Sequence, residues 1–484
     1  MKELLLILTV FCPVALGCLF RMMNWSGKKL RMASVASVVL GAVLAAVSAQ
    51  FSGSQVCLHW TDMLAFSLRV DDTGRVWLLL IAVIWPGVAL YATEYLEHDQ
   101  NPQRFFLFYT VTQGMLHGLA LSGNLVTFYM FYEAMTLLTV PLVLHNMDRE
   151  AVAAAIKYLI YSVIGASAAL AGIFFIASVG GTGDFAAGPL SDAQIQGREG
   201  MALGIFLAML AGFSVKAGMF PLHGWLPTAH PVAPAPASAV LSGVITKMGV
   251  LGVIRVIFCI AGVERLRGTW VQMTLLALSV LTILMGSLLA LKEKKLKKRL
   301  AYSSVSQVSY VLFGLFTMTE YGFVGAVLHV IFHSLMKNTL FMAAGSVIHK
   351  TELTQVDDMD GLGRRMPWTY AFFTVASLGL VGIPPTGGFI SKWNLAQGAL
   401  ATGLNYSWIG PAVLLISAVL TAGYLFTVVI RGCFPGADVP EGPACEAGLS
   451  MLLPMGVYSA LIVLLGIFSG PIVTYLDQLA HQLL

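Results

Sequence analysis

Apolar segments of about 20 residues recur along the whole chain, and this pattern constrains the fold more than any other feature. A helix needs roughly 20 apolar residues to cross a bilayer, whereas a barrel strand needs about ten with alternating polarity. Only 11% of the 484 residues are charged, against roughly 25% in a soluble protein. The sequence therefore predicts an all-α integral membrane protein with about 14 transmembrane helices. The predicted segments are residues 3–20, 32–50, 76–95, 105–121, 124–145, 157–179, 200–222, 238–260, 270–291, 300–317, 321–349, 369–403, 408–430 and 452–475.

The basic residues between these segments predict how the chain is oriented. Short loops rich in lysine and arginine stay in the cytoplasm, and the richest loops here are the first, the ninth (residues 292–299) and the eleventh. All three are odd-numbered, so we expect them on the cytoplasmic side of the plasma (inner) membrane, with both termini outside. Residues 1–20 resemble a signal peptide, but no small-residue cleavage site precedes the basic run at residues 21–31, which favours a first membrane span.

Two of the segments are interrupted by glycine and proline beside a lysine. The seventh breaks at residues 218–224, just after Lys216, and the twelfth breaks at residues 382–388, just before Lys392. Paired interrupted helices in two halves point to a transport site at a repeat interface. Five spans separate the breaks, so a five-span repeat would run antiparallel to its copy. We predict four regions: the N-terminal three helices (1–100), a first five-helix repeat (101–262), a second, inverted repeat (263–432), and a C-terminal loop with the last helix (433–484).

Glu133 and Lys216 place opposite charges inside two nearby predicted helices. A charge at bilayer depth is unfavourable by at least about 2.5–3.5 kcal/mol, and it therefore indicates function. Glu133 could be neutral or hydrogen-bonded to another helix, but the lysine in a nearby span favours an ion pair with Lys216. A carboxylate that approaches stabilises the charged lysine, and one that withdraws promotes release of its proton. We therefore predict that the pair acts as a switch for proton transfer.

Further basic residues continue this line through the second half of the chain. Lys247 lies in the middle of the eighth segment, far from either interface, which argues against snorkelling. His329, His333 and Lys337 are spaced i, i+4, i+8 and share one stripe of the eleventh helix. Because histidine titrates nearest neutral pH, this stripe favours proton relay over metal binding or packing. Lys392 is the expected exit group toward the outside.

Several polar residues are each compatible with two roles. Lys157 fits snorkelling or a connecting role, and His223 and His230 fit caps for exposed carbonyls or a role in proton uptake. The tenth segment carries a polar stripe suited to holding water or to helix–helix hydrogen bonds, formed by Ser303, Gln307 and Tyr310.

The sequence predicts no cofactor and no metal site. The six cysteines form no CxxC pair and no Cys/His spacing typical of zinc. Iron–sulphur, haem, nucleotide and flavin motifs are absent from the sequence. The segments also carry too few carboxylates for an oxygen-rich sodium cage. Protons are therefore the expected ion in this chain.

Four stretches resemble the proton-conducting antiporter-like family, which includes the large membrane subunits of respiratory complex I, Mrp cation/proton antiporters and membrane-bound hydrogenases. They are FYEAMTLLTVPLV, KAGMFPLHGWLPTAHPVAPAPASAVLSGVITKMG, HSLMKNTLFMAAGSVIH and GIPPTGGFISKW. The resemblance extends from about the third span to the thirteenth. It implies fourteen spans, two inverted five-helix repeats and discontinuous seventh and twelfth helices. It also implies other membrane subunits as partners, among them further antiporter-like subunits, and no nucleic acid.

The resemblance also implies which residues function. The family's central charged residues fall on Glu133, Lys216, Lys247, Lys337 and Lys392. Some members of the family carry glutamate at the position of Lys392, so the lysine argues against particular similarity to those members. The length and the stretch IKYLIYSVIGASAALAGI look most like an Mrp D-type subunit.

Two possible functions follow from this resemblance, and a third belongs to another class of membrane protein. The first is a subunit of an Mrp-type antiporter that exchanges sodium for protons without redox chemistry. The second is the proton-pumping arm of a redox complex, such as complex I, a hydrogenase or a ferredoxin-linked enzyme. Both are compatible with a chain that lacks cofactor motifs, so the sequence does not separate them. A stand-alone solute transporter is less consistent, because no polar pocket for an organic substrate is predicted.

Overall fold

The computed structural model describes residues 2–23, 25–61, 65–434, 436 and 442–484, and this part of the chain is mostly helical. Short helical turns at Asp192–Ile195, Val263–Leu266, Val356–Asp358 and Leu362–Arg365 lie in loops. The longer helices are α1 Lys2–Met22, α2 Gly27–Ser48, α3 Asp72–Tyr95, α4 Pro102–Ala120, α5 Leu125–Val143, α6 Arg149–Ser178, α7 Glu199–Ala217, α8 Leu226–Val232, α9 Ala235–Ala261, α10 Trp270–Lys292, α11 Leu296–Phe316, α12 Glu320–Thr351, α13 Pro367–Val381, α14 Gly387–Leu400, α15 Ile409–Cys433, α16 Leu449–Ile467 and α17 Gly470–Leu483.

Each predicted segment contains a helix, and the all-α membrane fold is confirmed. Within the described residues, 11 helices are long and apolar enough to cross a membrane. The remaining predicted segments correspond to α4, α11 and the pair α13 and α14. The chain is therefore a multi-pass membrane protein, whereas the total of fourteen crossings and the two inverted repeats stay predictions.

Two segment ends and one hairpin differ from the prediction. The last segment was predicted to run to residue 475, but α16 ends at Ile467 and the separate helix α17 follows. The seventh helix ends at Ala217, five residues before its predicted end. The loop after α2 holds an antiparallel hairpin, β1 Gln55–His59 and β2 Ala65–Arg69, which the apolar pattern does not reveal.

The two predicted helix breaks are present, and glycine ends the first half of each. Gly218 and Gly382 have φ angles of 84° and 92°, a left-handed conformation that glycine adopts without steric cost. The residue after each glycine donates its N–H five residues back, Met219 to Ser214 and Ile383 to Leu378, both at 3.0 Å. This is the Schellman arrangement, which satisfies terminal carbonyls and stops the helix.

The helices α9 and α12 form the centre of the bundle. Both are almost completely buried on all sides. Helices that are buried on all sides lie in the interior of a large bundle, and these two carry polar as well as apolar residues there. Helix α12 packs against α3, α9, α11, α13, α14 and α16. The predicted polar stripe of α12 therefore faces protein and not lipid.

Candidate functional site: a buried row of lysines and histidines

Lys216 of α7 lies in a cluster of hydroxyl groups supplied by α5 and α6. Its side chain is fully buried. The ammonium donates to Thr136 Oγ1 at 2.9 Å, Tyr158 OH at 2.7 Å and Ser162 Oγ at 3.1 Å. It also lies 4.4 Å from the centroid of the Tyr158 ring. Because an ammonium has three N–H donors, this site satisfies Lys216 completely with neutral oxygens.

The predicted direct ion pair between Glu133 and Lys216 is wrong for this conformation. Glu133 is half-buried on α5, and within the described part of the chain no hydrogen bond or ion pair joins it to Lys216. Its charge still acts on the ammonium through space. Thr136 follows Glu133 by three residues on the same face of α5. The hydroxyl groups therefore occupy the positions that a carboxylate would need in order to pair.

Lys247 and Lys337 are linked by hydrogen bonds that cross three helices. The Lys247 ammonium donates to the backbone oxygen of Ser242, and the Ser242 hydroxyl lies 2.7 Å from that of Ser304 on α11. Ser304 and Lys337 both donate to the Leu300 carbonyl at 3.0 Å. Carbonyls only accept hydrogen bonds. The link therefore fixes the two lysines at defined positions, with the paired serine hydroxyls between them.

His333 lies where the charged groups of α9, α12 and α14 converge. Its ring is fully buried, and neither nitrogen has a hydrogen-bond partner in the described part of the protein. Lys247, Lys337 and Lys392 all act on it electrostatically. The ring stacks on His329 with centroids 5.7 Å apart. Buried polar atoms of this kind normally bond to ordered water, so His333 is suited to exchange protons with water.

His329 is held by a hydrogen-bond pattern that responds to its protonation. Nε2 lies 3.1 Å from Gln307 Oε1, which only accepts, so Nε2 carries a proton. Nδ1 lies 2.9 Å from Ser391 Oγ, and the same hydroxyl can donate to the Gly388 carbonyl at 3.0 Å. When His329 is neutral, Ser391 donates to Nδ1. When His329 is charged, Nδ1 donates and Ser391 turns to Gly388.

Lys392 closes the second helix break. Its ammonium donates to the carbonyls of Leu380 and Val381 at 2.7 and 2.8 Å, which are the last carbonyls of α13. The C-terminal end of a helix carries partial negative charge, so a cation there is favourable. The ammonium also lies 5.2 Å from the centroid of the Tyr310 ring. Lys392 is partly exposed, unlike Lys216 and Lys247.

The structure adds two residues that the sequence prediction did not assign to the row. His230 was left with two interpretations; its ring is fully buried, stacks on Phe341 at 4.7 Å, and senses the charges of Lys247 and Lys337. Lys297 was counted only as a loop cation, but its ammonium donates to the backbone oxygen of Pro231 at 3.2 Å. His230 belongs to α8, and Lys297 at the start of α11 contacts the end of α8, a helix that no apolar segment predicted.

A cleft on the side of the basic loops leads to these residues. It encloses about 550 Å³, and Lys297 lies in its wall. Acidic groups also line it, namely Asp99, Asp148 and Glu150. The proline-rich stretch at residues 227–236 could have indicated this opening. Proline lacks a backbone N–H, so carbonyls in this stretch lack the donors that a continuous helix supplies.

Among the residues with two interpretations, Lys157 and His223 fall at the edges of the row and Gln307 lies within it. Lys157 is half-buried and donates to Thr228 Oγ1 at 3.0 Å, so it ties α6 to α8. His223 is half-buried in the first break, with its ring stacked on Phe220. Gln307 contacts His329 directly. The described residues contain no group of three His, Cys, Asp or Glu side chains that could hold a metal ion.

The arrangement places titratable side chains in a row inside the bundle. Lys216 and its hydroxyls form one cluster, and Lys247, Lys337, His333, His329 and Lys392 form a second, longer one. In the described part of the chain no hydrogen bond joins the clusters, although α7 and α9 pack closely: a Cβ placed on Gly249 would meet the Lys216 Cβ at 2.9 Å. The residues predicted from the sequence are therefore brought into two groups in neighbouring helices.

Comparison with known proteins gives consistent matches over most of the chain. Residues 122–421 match a family described as NADH:quinone oxidoreductase/Mrp antiporter, transmembrane. The chain is 31% identical over 444 residues to the N subunit of the NADH-quinone oxidoreductase of Desulforudis audaxviator, covering 87% of this chain and 86% of that one. It is 27% identical over 426 residues to the D subunit of the Na(+)/H(+) antiporter of Alkalihalophilus pseudofirmus, covering 88% and 85%.

The fold is also similar to a solved membrane complex. A chain of respiratory complex I from Thermus thermophilus superimposes with a TM-score of 0.85 over 99% of this chain and 98% of that one, at 22% identity. At this identity the likeness concerns the fold alone. The sequence relatives, and not the superposition, carry the assignment of a family.

Proposed function

Because the chain belongs to the NADH:quinone oxidoreductase/Mrp antiporter transmembrane family, we propose that it translocates protons as one membrane subunit of a multisubunit complex. The observation that carries this proposal is the buried row of basic side chains. Four lysines lie inside the bundle with hydroxyl or carbonyl partners: Lys216, Lys247, Lys337 and Lys392. Ionisable groups at membrane depth are costly and mark ion pathways.

Protons enter this row from the side of the basic loops, which the positive-inside rule places in the cytoplasm. The cleft beside Lys297 and the buried His230 support an opening there. From Lys247 the route continues past Lys337, His333 and His329 and leaves near the partly exposed Lys392. Net direction is set by the driving reaction of the complex.

Glu133 and Lys216 form the switch in this proposal. In the conformation described, hydroxyls hold the ammonium and the carboxylate stands apart. In a second conformation Glu133 replaces Thr136 as a partner of Lys216, which the shared face of α5 permits. Charge pairing would then hold the proton that the hydroxyl-bound state can release.

The first candidate for the whole complex is an Mrp-type sodium/proton antiporter. A relative named as the D subunit of a Na(+)/H(+) antiporter matches over 88% of this chain. The second candidate is the pumping arm of a redox complex, which the 31% identity to the N subunit of a NADH-quinone oxidoreductase favours. The optical spectrum of the purified native complex separates them. Stoichiometric iron–sulphur absorbance from partner subunits would rule out the simple antiporter.

The test of translocation uses the complete complex reconstituted in vesicles. Lys216→Ala and Glu133→Ala should each abolish proton-coupled transport, measured with a pH-sensitive dye, while the complex still assembles. Lys292→Ala is the matched control, because this lysine is exposed at the end of α10 and outside the row. Full coupling in Lys216→Ala would overturn the proposal. If Lys216→Ala abolishes proton-coupled transport and Glu133→Ala does not, the proposed switch is ruled out. Lys216 and its hydroxyl partners would then remain part of the route without Glu133.

A further inference from the structure

An open cleft of about 800 Å³ lies apart from the proton row, at the ends of four helices. It is bounded by the start of α2, the end of α3, the end of α12 and the residues that lead into α16. It faces the same side of the membrane as the basic loops, because Lys28 and Lys350 belong to the first and eleventh loop regions. Nothing in the proposed proton route uses it.

The mouth of this cleft carries three cations, two of which are paired with carboxylates. Arg31 pairs with Glu97 at 2.9 Å and also donates to the Thr93 carbonyl at 3.2 Å. Lys350 lies 3.7 Å from Glu94. Lys28 forms no ion pair with any described residue. Three cations against two carboxylates leave an excess of one positive charge. His98 and His349 also line the cleft and supply further hydrogen-bond donors.

The inner wall of the cleft is apolar and continues toward the membrane centre. Met32, Val35 and Ala36 of α2 and Leu90 of α3 line it. Beyond it, the outward face of α2 is apolar and exposed: Met32 is 63% exposed and Val43 is 52% exposed. Met32, Ala36, Val39 and Val43 follow one another at helical spacing and form one stripe.

We propose that this cleft binds an anionic phospholipid from the leaflet on the side of the basic loops. Lys28, Arg31 and Lys350 bind the phosphate, and one acyl chain lies along the α2 stripe. Basic pockets between transmembrane helices on the cytoplasmic side are suited to anionic headgroups. The combination of a cationic mouth and an apolar wall fits an amphiphile better than a free anion. A bound lipid would connect α2 and α3 to the end of α12, the helix that carries His329, His333 and Lys337.

The experiment measures lipid binding to the purified, delipidated complex by native mass spectrometry. Dioleoyl phosphatidylglycerol is titrated in parallel with dioleoyl phosphatidylcholine and with soluble glycerol phosphate. Each cation near a membrane surface contributes roughly a factor of five in affinity. We therefore expect the double variant Lys28→Gln/Lys350→Gln to bind phosphatidylglycerol about 25-fold more weakly and phosphatidylcholine as before. Lys28→Gln alone, which breaks no ion pair among the described residues, should weaken binding about fivefold.

The control is the double variant Lys292→Gln/Lys294→Gln, which removes the same charge from exposed positions outside the cleft. It should bind phosphatidylglycerol like the unmodified complex. Equal weakening in both double variants, or equal affinity for both lipids, would overturn the proposal. Glycerol phosphate that binds as tightly as the lipid would assign the site to a free anion instead. A photocrosslinking residue in place of Met32 that captures another protein of the complex would show that protein, not lipid, covers the cleft.

Discussion

An ammonium group inside a membrane protein needs an acceptor for each of its three N–H groups, and Lys216 obtains all three from hydroxyls. Hydrogen bonds to a charged group contribute about 1.5–3 kcal/mol each, which offsets part of the cost of burying the charge. Hydroxyls can also donate, so Thr136, Tyr158 and Ser162 are able to pass a proton as well as hold it. This arrangement makes Lys216 stable without a fixed counter-charge, and a mobile Glu133 can then change its state.

The paired hydroxyls of Ser242 and Ser304 give a prediction at the centre of the row. Ser304→Ala removes the hydroxyl that bridges toward the Leu300 carbonyl, which Lys337 shares. We expect proton transport to fall about fivefold. The free energy of unfolding should fall by about 1–3 kcal/mol, because Ser304 takes part in two hydrogen bonds and its loss leaves the buried Ser242 hydroxyl without this partner. Vesicle transport assays and thermal unfolding of the complex measure these changes.

A matched control for this variant lies on the same helix. Ser309 of α11 is fully buried, and its hydroxyl has no partner within the described residues. Ser309→Ala should therefore leave transport unchanged and cost little stability. If Ser304→Ala transports protons at the normal rate, the serine pair is not part of the route.

Charged residues of the site could be identified from the sequence, whereas their neutral partners could not. A lysine or glutamate in an apolar segment is rare, so Lys216, Lys247 and Glu133 are conspicuous. Threonine, serine and tyrosine are common in membrane helices, so nothing in the sequence separates Tyr158 or Ser162 from the others. The missing ion pair has the same origin, because the pairing was predicted from charge alone and hydroxyls were not weighed as acceptors.

At the scale of elements, the two interrupted helices end in the same type of glycine cap but differ in the side chain that donates hydrogen bonds to their last carbonyls. Both first halves end in a left-handed glycine with the same backbone bonds. In α7 the Trp225 indole donates to the Val215 carbonyl at 2.9 Å, whereas in α13 the Lys392 ammonium donates to the terminal carbonyls. A neutral donor closes one break and a titratable donor closes the other. The second break is therefore the one whose structure can respond to protonation.

The second break also gives a prediction. Gly382→Ala forces a left-handed conformation on alanine, which costs roughly 1–2 kcal/mol. The new Cβ would lie 3.0 Å from Lys392 Cδ, so it also displaces the lysine that closes the break. We expect a loss of stability of that size and a several-fold loss of proton transport, measured by thermal unfolding and by vesicle assays.

Gly403 provides the control for the backbone effect. It has a φ angle of 68°, and no atom lies within 4 Å of the position that a Cβ would take. Gly403→Ala should therefore cost similar stability but leave transport unaffected. Equal loss of transport in both variants would show that strain alone, and not the Lys392 contact, is responsible.

Element boundaries were predicted where a glycine and proline break lies beside a lysine, and one was missed where apolar residues continue on both sides of the break. The breaks after Ala217 and Val381 follow from such residues. The end of α16 at Ile467 was missed although Gly470 and Pro471 follow it, because the predicted segment followed the apolar composition across them into α17. Its buried residues Leu476, Leu479 and Ala480 lie on one side, which makes it amphipathic rather than uniformly apolar. The hairpin β1–β2 is short and mixed in polarity, so it leaves no periodic signal.

For the whole molecule, the central position of α9 and α12 decides where protons can travel. Both helices are surrounded by protein along most of their length, and Lys247, His329, His333 and Lys337 are fully buried there. In the proposed route the row links the two helix breaks inside the bundle, and its two ends reach water on opposite sides of the membrane. Which side is which depends on the orientation of the chain, and hence on its loop charges.

Orientation can be tested directly by labelling two exposed loop positions. Asn405→Cys lies between α14 and α15, and Thr354→Cys lies between α12 and α13, in a chain whose six natural cysteines are replaced by serine. The positive-inside rule predicts that Asn405→Cys reacts with a membrane-impermeant maleimide in intact cells. Thr354→Cys should react only after permeabilisation. The reverse result would place the cleft beside Lys297 outside the cell, and the uptake and exit ends of the proposed proton route would have to be exchanged.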